Sequence, residues 1–594
     1  MGNSHEKLRA LLESVYGPSI GDHAYTRIVA LTDLFQQQQP ATSTTEKGAS
    51  ERFSERDVVL ITYGDQIQQA GQPPLETLAQ TLPALIGPFI NSVHILPFYP
   101  YTSDDGFSVV DYRAVNPEWG DWPAIEALGQ HFNLMFDAVI NHASQQSRWF
   151  QKYKQNQTPY VDYFITVDPT TISPEEQAQI VRPRTLPLFT PVQTSAGLRY
   201  VWTTFSADQI DLNYESIDLF LEILDVLLLY VAKGARLIRL DAIGFMWKEL
   251  GTSCIHQPKT HQLIQIMRLV LNLVAPDVLL VTETNVPHNE NISYFGDGID
   301  EAQLVYNFTL PPLTFYTFAT GSAVKLTEWA ATLEAPSSQT TFFNFMASHD
   351  GIGLRPLEGI LNPAEINKLV EQTQAHGGLV SYKTNADGTQ SPYELNIVYF
   401  DALNNPAATG RQAQAQQVDR FIASQAILLC LAGVPGIYVH SLLGSRNWPQ
   451  GVEQTGHNRT INRQKMVNEQ VHMQLADPDT IRARVFQRYR TLIQLRTAEA
   501  AFHPNAAQTV LSLNPHVFSL QRTSIDSSSR LLCLHNVSAQ EQPIVIAPRQ
   551  IPSLPESALQ KVVDIVSGQT YTCPPDKPLT LTLSPYQVMW LRLS

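Results

Sequence analysis

The chain has 594 residues, 43% of them hydrophobic and 16% charged, which allows a large buried core and excludes wholesale disorder. Its 40 Lys and Arg against 55 Asp and Glu give a formal charge of -15, which excludes a nucleic-acid surface because phosphate neutralisation needs a basic footprint. The four cysteines, Cys254, Cys430, Cys533 and Cys573, form no CxxC pair, so zinc ribbons and dithiol redox motifs are absent and a reducing, cytoplasmic compartment is expected.

The N-terminal MGNSHEKLRALLES lacks the apolar stretch of a signal peptide. The apolar run AILLCLAGVPGIYVH from Ala426 is too short, and too broken by Gly and Pro, for a membrane span. Residues 1–50 are expected to form a helical extension, with Leu8, Leu11, Leu12 and Val15 at helical spacing and a second apolar pattern from Ile28 to Phe35. QQQQPATSTTEKGAS then reads as a polar linker.

From Val58 short apolar runs alternate with longer helical patterns. Strands are expected at VVLITYGD, SVHILPFYP, LMFDAVINH, ARLIRLDAI, VLLVTET, LVYNFTL, TFFNFMASHD and GVPGIYVHS. PLETLAQTLPALIG and ESIDLFLEILDVLLLYVAKG read as helices between them. Eight such units predict an α/β fold, a closed (β/α)8 TIM barrel over residues 51–499, with parallel strands. An open doubly wound sheet is the alternative, but no GxGxxG opens a helix near the first strand. Residues 143–205 and 351–420 interrupt the rhythm and are expected as inserted rim subdomains. From about residue 500 to 594 the helical pattern gives way to short strands separated by turn residues, which predicts a C-terminal antiparallel β domain.

Three of the strand signals end on titratable residues: Asp241 after ARLIRL, Glu283 after VLLVTE, and His349 with Asp350 after TFFNFMAS. Carboxylates at the C-terminal ends of successive strands are how a barrel assembles its site. The period of two puts Arg239 and Asp241 on one face, so the guanidinium favours the ionised carboxylate. Paired carboxylates without a metal-ligand pattern point to glycoside chemistry. The bland alternative for each is a cap on the following helix.

DAVINH (residues 137–142), RLIRLDAIGF, VTETNVPH and ASHDGIG resemble the four signature regions of the α-amylase superfamily. SDDGFSVVDY (residues 103–112) resembles the donor-pocket loop of its sucrose phosphorylase subfamily. LPFYPYTSDDGFSVVDYR, VRPRTLPLFTP, GFMWKELGTSCIHQPKTH and VEQTGHNRTINRQK are similar to the glucosylglycerate branch of that subfamily. The resemblance runs from about residue 5 to the end of the chain.

The resemblance implies a nucleophile at Asp241, a general acid/base at Glu283 and a third carboxylate, Asp350, that holds sugar hydroxyls. A retaining pair of this kind sits roughly 5–5.5 Å apart. It further implies sugar contacts from His142 and His349, a grip on the far hydroxyls by Asp104, a stacking platform at Phe107, and closure of the donor pocket by Arg463. A phosphorylase needs positive charge at the mouth of the pocket, and Arg182, Arg184 and Arg459 are the phosphate candidates beside Arg463. Lys383, His457, Asn458 and Arg459 are candidates for an acceptor carboxylate, and residues 377–395 for a mobile lid.

The implied reaction is the reversible conversion of 2-O-α-glucosylglycerate and phosphate to α-D-glucose 1-phosphate and glycerate. No metal or other cofactor is expected, the partners are small molecules, and neither nucleic acid nor membrane is among them. The sequence sets no oligomeric state and leaves a homodimer open. Competing readings are a sucrose or glucosylglycerol phosphorylase, an α-glucosidase, and a sugar-binding barrel without catalysis. The presence of Asp241, Glu283 and Asp350 counts against the last.

Overall fold

In a computed structural model, which describes residues 2–38, 52–183, 186–385, 389–551, 556–574 and 577–593, eight parallel strands close into a barrel. They are Val59–Thr62 (β1), Ser92–Ile95 (β2), Asn133–Ala138 (β3), Ala235–Leu240 (β4), Leu279–Thr282 (β5), Leu304–Tyr306 (β6), Thr341–Phe345 (β7) and Val434–Tyr438 (β8). Each coincides with one of the apolar runs read from the sequence. β8 pairs with β1, Val59 opposite Gly436, which rules out the open-sheet alternative. The strands are buried along nearly their whole length, the reason they read as continuous apolar runs rather than as alternation.

Helices Ile217–Ala232 and Pro258–Val274 lie against the outside of the barrel next to β4 and β5. The first is started by Ser216, whose side chain accepts the Leu219 N–H, and the second has proline in its first turn. The N-terminal segment forms two helices, Gly2–Tyr16 (α1) and Pro18–Gln38 (α2). Leu8, Leu12, Val15 and Ile28 are buried, and both helices pack onto this barrel-helix pair. Tyr16 Oη donates to the Tyr214 carbonyl at 3.0 Å, and Gln262 reaches Ser14 at 2.9 Å. Most of the expected polar linker, residues 39–50, lies outside the described residues.

Both interruptions of the barrel carry structure of their own. The first holds helices Arg148–Lys154 and Pro174–Gln179 and a three-stranded sheet built on the hairpin Phe189–Thr194 with Gly197–Trp202. The second holds helix Pro363–Ala375 and a sheet in which Gln390–Asn396 lies between Ile352–Gly353 and Leu379–Thr384. Helix Arg411–Cys430, which leads into β8, begins inside that second stretch. Residues 386–388, within the expected lid, lie outside the described residues.

The C-terminal region is antiparallel. A six-stranded sheet runs in the order Ala507–Asn514, Val517–Thr523, Arg530–Asn536, Val588–Leu593, Lys561–Asp564, Thr570–Thr572. A separate pair, Gln542–Ile546 with Leu579–Leu583, closes a second small core around Leu532, Leu534 and Leu591. All four cysteines are buried free thiols. Among the described residues no helix is long and apolar enough to cross a membrane.

Candidate active site

The register of β3 against β4 sets Asp137 directly opposite Arg239. Their side chains form an ion pair, and His94 of β2 adds a bond from Nε2 to the other Asp137 oxygen at 2.6 Å. Against its burial, Arg239 and His94 hold the Asp137 carboxyl below the usual carboxylate range. This fixed carboxylate anchors Arg239, which is 2% exposed, and points its guanidinium at the end of β4. There Nη1 donates to Asp241 Oδ1 at 2.8 Å, and Nη2 lies 3.8 Å from Glu283 Oε2. Asp241 and Glu283 extend the ladder by one bond each, Asp241 N–H to the Ala138 carbonyl and Glu283 N–H to the Leu240 carbonyl, both at 3.2 Å. The backbone then turns sharply. Ala242 has φ 49°, a left-handed conformation uncommon for a residue with a Cβ, and its N–H donates to Glu283 Oε2 at 2.9 Å.

Burial pushes both Asp241 and Glu283 upward, and each is raised further by neighbouring carboxylates, while Arg239 opposes the rise. Two such groups share their protons as a pair. Arg239 is at hydrogen-bond distance from Asp241 and farther from Glu283, so its guanidinium opposes the rise more directly at Asp241, while the Ala242 N–H opposes it at Glu283.

The third carboxylate is tied differently. Asp350 Oδ1 meets Arg459 Nη1 at 2.6 Å and lies 3.4 Å from His349 Nε2. Although burial works the other way, Arg459, His349 and Arg463 hold Asp350 well below the usual carboxylate range. The opposite edge of Arg459 grips Glu394 with Nε at 3.0 Å and Nη2 at 2.6 Å, a bidentate fork. His349 stacks flat on Phe107, with ring centroids 4.6 Å apart and planes 3° from parallel. Burial drives its pKa down to about 3, so the ring is neutral.

Phe107 follows a turn in which Asp104, Asp105 and Gly106 all have positive φ, 53°, 46° and 106°. A Cβ on Gly106 would sit 2.6 Å from the Pro97 carbonyl oxygen, so only glycine fits this approach. Asp105 pairs with Arg463, whose Nε donates to the His349 carbonyl at 2.8 Å. Gln209 reaches Asp104 at 3.4 Å and the Phe107 carbonyl at 3.1 Å, and His142 Nε2 lies 2.7 Å from that same carbonyl.

These groups surround a cavity of about 740 Å³. Asp241, Glu283, Asp350, Asp104, Phe107, His142 and His349 all line it, as do Arg182, Lys383 and Arg459 at its rim. Arg239 and Arg463 stand behind the wall and act on the carboxylates that form it. His457 is exposed, and neither it nor Asn458 is part of the lining. Arg184 lies outside the described residues.

Several contributors were not anticipated from the sequence. His94 was hidden inside an apolar strand, where an inward histidine at period two is the only signal. Gln209 and Glu394 sit on short rim strands, Gln209–Asp211 and Gln390–Asn396, Arg355 follows ASHDGIG, and Asn285 lies inside VTETNVPH without being singled out there; all four line the cavity.

A closed eight-stranded parallel barrel whose strand ends deliver three carboxylates into one pocket, with a buried arginine behind its wall, defines an α-amylase-type glycoside-transforming enzyme. The alpha amylase catalytic-domain family model matches residues 68–353. A glucosylglycerate phosphorylase of Spirochaeta thermophila is 46% identical over 99% of this chain and 98% of its own length. A glucosylglycerate phosphorylase of Escherichia coli is 44% identical over 99% of this chain and 100% of its own. The crystal structure of sucrose 6F-phosphate phosphorylase from Thermoanaerobacter thermosaccharolyticum shares the fold, with a TM-score of 0.70, 24% identity, and coverage of 81% of this chain and 94% of that one. The chain belongs to the glucosylglycerate phosphorylase family, within the α-amylase superfamily.

Proposed function

We propose that this protein is a retaining glycoside phosphorylase that reversibly converts 2-O-α-glucosylglycerate and inorganic phosphate into α-D-glucose 1-phosphate and glycerate. The observation that carries the reading is the end-to-end identity with two relatives of that activity by name, 46% and 44%. The three-carboxylate pocket supports the chemistry. Asp241, held ionised by Arg239, attacks the anomeric carbon, while Glu283 gives its proton to the glycosidic oxygen and glycerate leaves. Phosphate then attacks the covalent glucosyl-enzyme from the vacated side, giving its proton to Glu283, and Asp241 is released. Two carboxylates gathered on one guanidinium fit the short retaining separation, roughly 5–5.5 Å, better than the wider one that admits a water.

Asp350 and Asp104 hold the glucose hydroxyls, the Phe107–His349 stack offers a flat wall to the ring, and His142 completes that side. Arg463 acts through Asp105 and the His349 carbonyl. Arg182 and Lys383 give the mouth the positive charge that two anionic substrates require. The free buried thiols support work in the reducing cytoplasm.

The test is the release of glucose 1-phosphate from candidate glucosides with and without phosphate. Phosphate-dependent glucose 1-phosphate from glucosylglycerate is expected. Free glucose at one rate in both cases would leave a hydrolase instead.

A further inference from the structure

In 2-O-glucosylglycerate the carboxylate hangs on the very carbon that bears the departing oxygen. Whatever recognises it must therefore flank the acid that protonates that oxygen. On this face of the cavity stand two residues that nothing so far assigns. Asn285 lies two positions beyond Glu283 and lines the cavity, and its Oδ1 is buried without a hydrogen-bond partner among the described residues. Arg355 opens the short helical turn Arg355–Leu357 after Asp350 and also lines the cavity.

The two belong to one patch of wall. Gly353, two residues before Arg355, packs so closely on Asn285 that a Cβ there would meet its Nδ2 at 2.5 Å and its Oδ1 at 2.7 Å. Across the same seam Arg355 Nη2 lies 3.3 Å from Glu290 Oε2, the loop after β5 gripping the loop after β7. That contact engages Nη2, one end of the donor fork of a residue that lines the cavity.

The other cations of the lining have partners of their own. Arg459 is gripped by Asp350 and Glu394. Lys383 is 3.7 Å from Glu358, on the second insertion, and Arg182 donates to the Leu186 carbonyl on the first.

The geometry points to Arg355 and Asn285 as the specificity-determining pair for the acceptor: the Arg355 guanidinium binds the glycerate carboxylate, and the Asn285 Nδ2 donates to its edge. A planar carboxylate suits a guanidinium and an amide N–H side by side, and Asn285 brings that donor. A neutral triol leaves the arginine unanswered. This assignment rests on the phosphorylase reading above and refines it.

The test lets two acceptors compete for one glucosyl-enzyme. With glucose 1-phosphate as donor and glycerate and glycerol present together, the ratio of glucosylglycerate to glucosylglycerol reports acceptor choice alone, because both products share every earlier step. Arg355→Gln removes the charge and keeps a hydrogen-bonding side chain. Asn285→Asp keeps the shape and sets a negative charge against the incoming carboxylate. Each variant is expected to lower the ratio at least about tenfold, with a thermal melt close to that of the parent. Folded variants that both keep the parent ratio within about twofold would overturn the assignment. A parent enzyme that makes no glucosylglycerate at all would instead remove the reading it stands on.

Discussion

Arg459 meets Asp350 at 2.6 Å with one corner of its guanidinium while its opposite edge makes a two-point contact with Glu394, on strand Gln390–Asn396 of the second insertion. A cavity-lining carboxylate of the barrel is thereby linked to the rim through a single side chain.

Arg459→Ala leaves two carboxylates at the cavity wall without their cation. Removing one member of such a pair costs about 2–5 kcal/mol, because the charges left behind are poorly solvated. Denaturant unfolding is expected to register a loss of that order together with a sharp fall in kcat/KM for glucose 1-phosphate. Glu394→Gln keeps the shape and is expected to be milder. An Arg459→Ala protein as stable and active as the parent would show that the linkage carries no weight.

Asp241→Asn is nearly isosteric and removes the proposed nucleophile. Turnover is expected to fall on the order of 10⁴-fold while the thermal melt stays near that of the parent. Activity above a few per cent of the parent, about 5%, contradicts the role.

In the proposed mechanism Glu283 carries the proton that releases the acceptor. Its carboxyl is raised by burial, so the basic limb of kcat/KM is expected above the ordinary glutamate value, about 4.3, and is expected to vanish in Glu283→Gln. The same shift has a stability sign. A group with a raised folded-state pKa binds its proton more tightly when folded. Its stabilising contribution is complete below the unfolded value and is lost as pH rises through the folded one. Melting curves from pH 4 to pH 8 should therefore show Glu283→Gln gaining on the parent as pH increases, and a constant difference would contradict the raised pKa.

Gly106→Ala forces a side chain into a left-handed position and against the Pro97 carbonyl. A cost of roughly 2–4 kcal/mol is expected from strain plus overlap. The adjoining Asp104 and Phe107 then shift, so KM for glucose 1-phosphate is expected to rise along with the loss in melting temperature. An unchanged KM would separate this loop from donor binding.

The barrel was legible because each strand is buried nearly throughout, so Val59–Thr62 or Ala235–Leu240 stands out as an apolar run, the second with a charged full stop at Asp241. Asp241, Glu283 and Asp350 were visible for the same reason: topology forces strand ends together, whatever their separation in sequence. The rim was not legible, because partners there are chosen by tertiary packing. Arg459 read as a loose cation within NRTINR, and only the fold brings Glu394, 65 positions away, alongside it. His457 and Asn458 share the same stretch of sequence and yet fall outside the lining, since the turn Asn458–Asn462 directs neighbouring side chains apart. Arg355 drew no notice because it lies in no charged run, and Asn285, although inside VTETNVPH, was passed over for the carboxylate two positions before it.

The paired helices at the start of the chain rest on Ile217–Ala232 and Pro258–Val274, the same two that flank the strands ending in Asp241 and Glu283. They act as an outside brace against the half of the barrel where the chemistry is concentrated. Trimming the gene to a minimal catalytic core beginning at residue 52 would strip that brace, bare the apolar flanks beneath Leu8, Leu12 and Ile28, and loosen the scaffold behind both working acids. For anyone adapting this enzyme as a synthetic tool, the first thirty-eight residues belong to the part that must be kept.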